Sequence, residues 1–129
     1  MRLGKLELQI VPDARFRLDG GAMFGVVPRV LWEKKARPDD QNRVAVATNC
    51  LLVRGEDFVA VVDAGVGQKW DAKSRQMYGF DDGTTLERSL GAQGIRPADV
   101  DALVLSHLHF DHSGAATREE LIRMVFPDR

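Results

Sequence analysis

Apolar and polar positions alternate from the start of the chain. Leu6, Leu8 and Ile10 are interleaved with Lys5, Glu7 and Gln9, the period-two signature of a strand with one wet face. Phe16 and Leu18 resume the alternation after a turn expected at Pro12 to Ala14, so this region reads as an outer pair of strands. Asp19, Gly20 and Gly21 break it. In the stretch AMFGVVPRVLWEKKARPDD, Gly25 and Pro28 interrupt the apolar residues Met23, Phe24, Val27, Leu31 and Trp32, which predicts a long structured loop. Most such residues simply pack, but Met23, Phe24 and Trp32 are also candidates to line a substrate pocket, since pockets are lined mainly by apolar and aromatic side chains.

Arg43 to Val53 and Phe58 to Val62 are apolar on both faces and rich in β-branched residues, which suits strands covered on two sides. RGED between them reads as a hairpin turn, and VVDAGVG ends the second strand at Asp63. The GVG run is not a dinucleotide loop, because the third glycine of that pattern would fall at Trp70. Thr84 and Glu87 have capping-box spacing, Leu86 and Leu90 lie one turn apart and Gly94 supplies a stop, so a helix is expected from about Thr85 to Gln93. Ala102 to Leu105 (ALVL) then reads as a short buried strand. No repeat or low-complexity segment interrupts this α/β pattern.

The chain has 129 residues, 44% of them hydrophobic and 29% charged, which fits one small domain with a modest core. With 18 basic and 19 acidic residues the formal charge is −1, so electrostatics offers no reason to expect nucleic acid as a partner. Cys50 is the single cysteine, which rules out an internal disulfide and suits a small buried hydrophobe in a strand. MRLGKLELQIVPD lacks the unbroken apolar run of a signal peptide, and no window approaches a membrane span. No membrane partner is therefore expected, and the cytoplasm is the expected compartment.

All three histidines fall within SHLHFDHSG, residues 106 to 114. Side chains two apart on an extended chain point the same way, so His107 and His109 can present two imidazole nitrogens to one point as they leave ALVL. Asp111 and His112 follow where the chain must turn and can face a second point beside the first. Mixed imidazole and carboxylate donors suit zinc, with iron or manganese as alternatives. A serine nucleophile explains less, because Ser106 and Ser113 have no special setting and the clustering of histidines would remain unaccounted for. Asp63 by itself fits a turn cap as well as a site residue.

SHLHFDHSG matches the HxHxDH motif of the metallo-β-lactamase superfamily, and its setting is similar too: TNCLLV, VVDAGVG, a helix, then GIRPADVDALVLSHLHFDH. The resemblance is close over residues 43 to 117, and DGGAMFGVVPRVLW more loosely resembles a lactonase-like and esterase-like branch. It implies that His107 and His109 bind a first metal, that Asp111 and His112 bind a second, and that Asp111 is also catalytic. Asp63 matches the aspartate that supports the site's hydrogen bonding. Two zinc ions would hold a hydroxide that attacks an ester, lactone or related bond of a small-molecule substrate.

The family fold is an αβ/βα sandwich of two similar halves, and the resemblance implies that residues 1–129 form a single incomplete domain, the N-terminal half. The other half supplies a third histidine, a bridging aspartate and a last histidine, and no histidine follows His112 here. The chain by itself is thus expected to be inactive and to need a C-terminal half or second chain, or to pair as a homodimer that covers its apolar sheet. The alternative is a non-catalytic metal-binding half-domain that needs a partner chain.

Overall fold

The computed structural model describes residues 1–118 and 123–124. Five strands form one mixed sheet in the order β1 (Arg2–Leu3), β2 (Leu6–Asp19), β3 (Arg43–Arg54), β4 (Val59–Val62) and β5 (Ala102–Val104). The first four pair antiparallel with their neighbours, while β5 lies parallel to β4. The connection from β4 to β5 carries α1 (Ala72–Tyr78) and α2 (Leu86–Gly91), so the architecture is α/β as expected. A separate antiparallel pair joins β6 (Thr117–Arg118) to β7 (Arg123–Met124).

The expected turn at Pro12 to Ala14 is instead a register shift within one continuous strand. This bulge lets Val11, Asp13, Ala14 and Phe16 all bury, although a straight strand would turn Asp13 and Ala14 to opposite faces. Val11 rather than Ile10 faces the core, and Ile10 is 61% exposed. Before the bulge the alternation therefore identified a strand but marked the open face, whereas Phe16 and Leu18 after it do turn inward.

The β3–β4 hairpin forms where expected, closed by the Gly55 amide on the Phe58 carbonyl at 2.7 Å. Its β3 strand is not covered on both sides: Val44, Cys50 and Leu52 are buried, while Ala45, Ala47 and Asn49 lie exposed. Nor is β5 a buried strand, since it forms the sheet edge and leaves Val104 half exposed. The stretch read as a long loop after β2 contains two short helices, Gly20–Phe24 and Arg29–Trp32.

Helix α2 starts one residue later than its predicted cap: Thr85, not Thr84, accepts the Arg88 amide at 3.2 Å. Leu86 and Leu90, four apart, face Val11, Cys50, Leu52, Val61 and Val100 to make an aliphatic core. Burial pushes the Cys50 thiol up to about 12, with the charges of Asp13 and Asp63 adding to it, so this cysteine is an inert packing residue. Helix α1 was not foreseen, although Asp71 caps its start and left-handed Gly79 its end. It contributes Tyr78 to a second cluster, in which Phe16, Trp70, Phe80 and Phe110 pack around Ala14 and Val66.

Candidate metal centre

Strands β4 and β5 run side by side and release the chain at the same end, which puts Asp63 next to Ser106 and the histidines. Asp63 adopts φ 61°, a left-handed conformation uncommon outside glycine, and its amide donates to the Val104 carbonyl at 2.8 Å. The turn that follows packs backbone to backbone on the end of the histidine segment. The Ala64 amide donates to the His112 carbonyl at 2.6 Å, and the Gly114 amide to the Gly65 carbonyl at 2.7 Å. Gly114 has to be glycine, since a Cβ there would collide with the Val66 carbonyl.

The histidine segment turns into α3 (Phe110–Ser113), one helical turn whose Ser113 amide donates to the His109 carbonyl at 3.0 Å. This turn brings the expected donors together. His107 Nε2 lies 3.0 Å from His109 Nδ1, and the His107 and His112 ring centroids are 4.0 Å apart. Asp111 Oδ2 lies 3.6 Å from His112 Nε2. Asp63 Oδ2 is 2.8 Å from His112 Nδ1, and the Ser106 amide and hydroxyl donate to its two oxygens at 2.8 and 3.0 Å. Burial works against the charge on Asp63, but the Ser106 amide, His112 and the Ser106 hydroxyl together hold its carboxyl below the ordinary value.

These donors fit divalent metals in type and spacing. Two nitrogens bound tetrahedrally at the usual zinc distance of about 2.0–2.1 Å stand roughly 3.3 Å apart, close to both pairs. With Nδ1 of His112 engaged by Asp63, its Nε2 stays free to face an ion. Each point is met by two donors, however. Among the described residues no group of three or more His, Cys, Asp or Glu side chains is placed to hold one ion.

The candidate pocket residues sit elsewhere. Strands β2 and β3 extend past the ends of β4 and β5 as an arm, whose tip carries Met23, Phe24 and Trp32. There Phe24 stacks on Trp32 with ring centroids 4.7 Å apart, buried Trp32 packs on Gly20, and Met23 is about half exposed. The structure does not bring these three against the histidine rings.

Two residues near the site were not read as part of it in the sequence, Asp13 being placed in a turn and Ser106 given no special setting. Asp13, fully buried, accepts from the Val66 amide at 2.7 Å, the Leu86 amide at 2.9 Å and the Thr48 hydroxyl at 3.2 Å. It thereby ties β2 to the turn after Asp63 and to the start of α2. Ser106 contacts Asp63, His107 and His112 at once. Only its place just before the motif could have marked it.

Comparison with known proteins agrees with this geometry. A metallo-hydrolase, mfmC, of Annulohypoxylon moriforme is 25% identical over 124 residues, covering 84% of this chain and 32% of its own. The crystal structure of a probable metal-dependent hydrolase from Staphylococcus aureus superposes with a TM-score of 0.82 at 30% identity, covering 91% of this chain and 43% of the other. AidC, a dizinc quorum-quenching lactonase, superposes with a TM-score of 0.70 at 26% identity, over 98% of this chain and 41% of its own. The chain thus spans less than half the length of each of these relatives. No helix among the described residues is long and apolar enough to cross a membrane. Residues 43–118, from β3 through the histidine turn, match the profile of the metallo-β-lactamase superfamily, and the chain belongs to that family.

Proposed function

We propose that this chain is the metal-binding part of a hydrolase that cleaves an ester, lactone or related bond in a small molecule. The observation that carries this reading is the pairing of donors, His107 with His109 at 3.0 Å and Asp111 with His112 at 3.6 Å. The first pair would hold one ion and the second a neighbour, with zinc favoured over iron or manganese because imidazole and carboxylate mix. The similarity to a dizinc lactonase supports both the metal and the bond type. Bound divalent ions supply a water pKa lowered towards neutrality and a charge to stabilise the oxyanion of the attacked carbonyl.

The chain's own residues prepare that chemistry. Asp63 orients His112 by holding its Nδ1, and Asp111, beside it on the first turn of α3, would hold the second ion as a ligand, the contact that would give it its catalytic role. An apolar hollow beside α3, lined by Val66, Trp70, Leu105, Leu108 and Phe110 with Lys69, suits the apolar portion of such a substrate. Further ligands would come from a C-terminal half or a second chain, since residues 1–129 make one incomplete domain in this reading.

A second reading is a non-catalytic metal-binding half-domain, favoured by the absence of any three-donor group among the described residues. Zinc titration by calorimetry, followed by an ester and lactone panel with and without the C-terminal remainder, separates the two. Zinc uptake with hydrolysis that needs the remainder, and is lost in Asp111→Asn, supports the hydrolase. Zinc uptake without turnover in the longer protein supports the second reading, and no uptake in either form rejects both.

A further inference from the structure

The Ser106 hydroxyl has three neighbours: Asp63 Oδ2 at 3.0 Å, His107 Nδ1 at 3.1 Å and His112 Nδ1 at 3.3 Å. It has one proton to give and two lone pairs to receive, so the character of its neighbours decides its role. The Asp63 carboxylate only accepts, and Oδ2 faces both the Ser106 hydroxyl and His112 Nδ1 at 2.8 Å. Both of those groups must therefore donate to it. With its proton committed to Asp63, Ser106 offers only lone pairs, and the His107 Nδ1 across from it has to be the donor. A neutral imidazole protonated at Nδ1 keeps its lone pair on Nε2. His107 Nε2 is the atom that faces His109 Nδ1.

We propose that Ser106 is a positioning residue that relays the Asp63 carboxylate to His107, fixing the Nδ1–H tautomer and aiming the Nε2 lone pair at the point shared with His109. The inference rests on the metal-site reading above and names the group that prepares its first ion. Carboxylates commonly orient metal-binding imidazoles through the nitrogen not used for the metal. Here one carboxylate serves two imidazoles, His112 directly and His107 through a hydroxyl. The Ser106 amide bond to Asp63 Oδ1 at 2.8 Å anchors the relay and does not depend on the side chain.

The test uses the full chain, labelled with nitrogen-15 and free of metal, at a pH well above the ordinary imidazole value of about 6.5. Long-range proton–nitrogen correlation spectra report the tautomer of each histidine, and calorimetry reports zinc affinity. His107 is expected as the Nδ1–H form in the wild type and in Ser106→Thr, which keeps the hydroxyl. Ser106→Ala should move His107 towards the Nε2–H form, leave His112 unchanged and weaken zinc binding about 10–100-fold. A wild-type His107 protonated at Nε2 overturns the relay, as does an unchanged His107 tautomer in Ser106→Ala, even if zinc binding weakens. Should Ser106→Ala fail to fold, the wild-type and Ser106→Thr spectra decide alone. A wild-type chain that shows the expected tautomers yet takes up no zinc overturns the metal-site reading and leaves the relay standing.

Discussion

The two apolar clusters under the sheet hold different things in place. The aliphatic one is sealed, with Leu52, Val61 and Leu90 fully buried between the sheet and α2. The aromatic one is built largely of partly buried rings and includes a residue of the histidine segment itself. Phe110 meets Phe16 at 5.9 Å, Trp70 at 5.4 Å and Tyr78 at 5.5 Å between ring centroids, so β2, the loop after β4 and α1 jointly seat the turn that carries Asp111 and His112. One cluster keeps the sheet folded; the other aims the donors.

That division predicts that damage to the two clusters separates stability from metal affinity. Leu52→Ala should cost about 2–5 kcal/mol of stability in urea unfolding. The zinc affinity of its folded fraction should match the wild type, and a large loss of affinity would break the comparison. Asp13 bridges the clusters, its oxygens accepting from Val66 on one side and Leu86 on the other. Asp13→Asn sets an amide nitrogen against one of these buried donors and should cost about 1–3 kcal/mol. Phe110→Leu keeps an apolar contact but loses the ring geometry, worth about 0.5–1.5 kcal/mol. Its zinc affinity should nonetheless fall about tenfold, as for other supports of metal ligands.

The smallest effect is a pH dependence. Burial raises the Asp13 carboxyl above its ordinary 3.8, against the hydrogen bonds from Val66, Leu86 and Thr48. The folded chain thus holds this proton more tightly than the unfolded one. The stability it contributes is complete below 3.8 and is lost as pH rises through the raised folded value. Urea midpoints of the wild type should decline across that window more steeply than those of Asp13→Asn, and parallel slopes would refute the assignment.

What could be read from the sequence follows the range of the interactions involved. The histidine turn was legible because its donors contact one another within six residues, and the β3–β4 hairpin because its turn is local. The inward face of β2 was misread ahead of Pro12 but not at Phe16 and Leu18, since the bulge that shifts the phase between them depends on pairing with β3 rather than on local propensity. Asp13 looked like a turn residue because its amide partners lie 53 and 73 residues away. Asp63 stands 49 residues from His112, a separation that spacing alone could not bridge and the family resemblance did. Helix α1 was missed despite its Asp71 and Gly79 caps, which were written locally.

The left-handed backbone of Asp63 bears on how such a chain could drift over generations. A non-glycine residue in this region costs on the order of 1 kcal/mol or more, which glycine would recover. Asp63→Gly would remove that strain but strip the Ser106 amide, the Ser106 hydroxyl and His112 of their shared acceptor, and bonds to a charged group contribute about 1.5–3 kcal/mol each, so the contacts outweigh the strain. Drift to glycine at this position would become open only to a chain in which the histidine turn had already been lost or rebuilt.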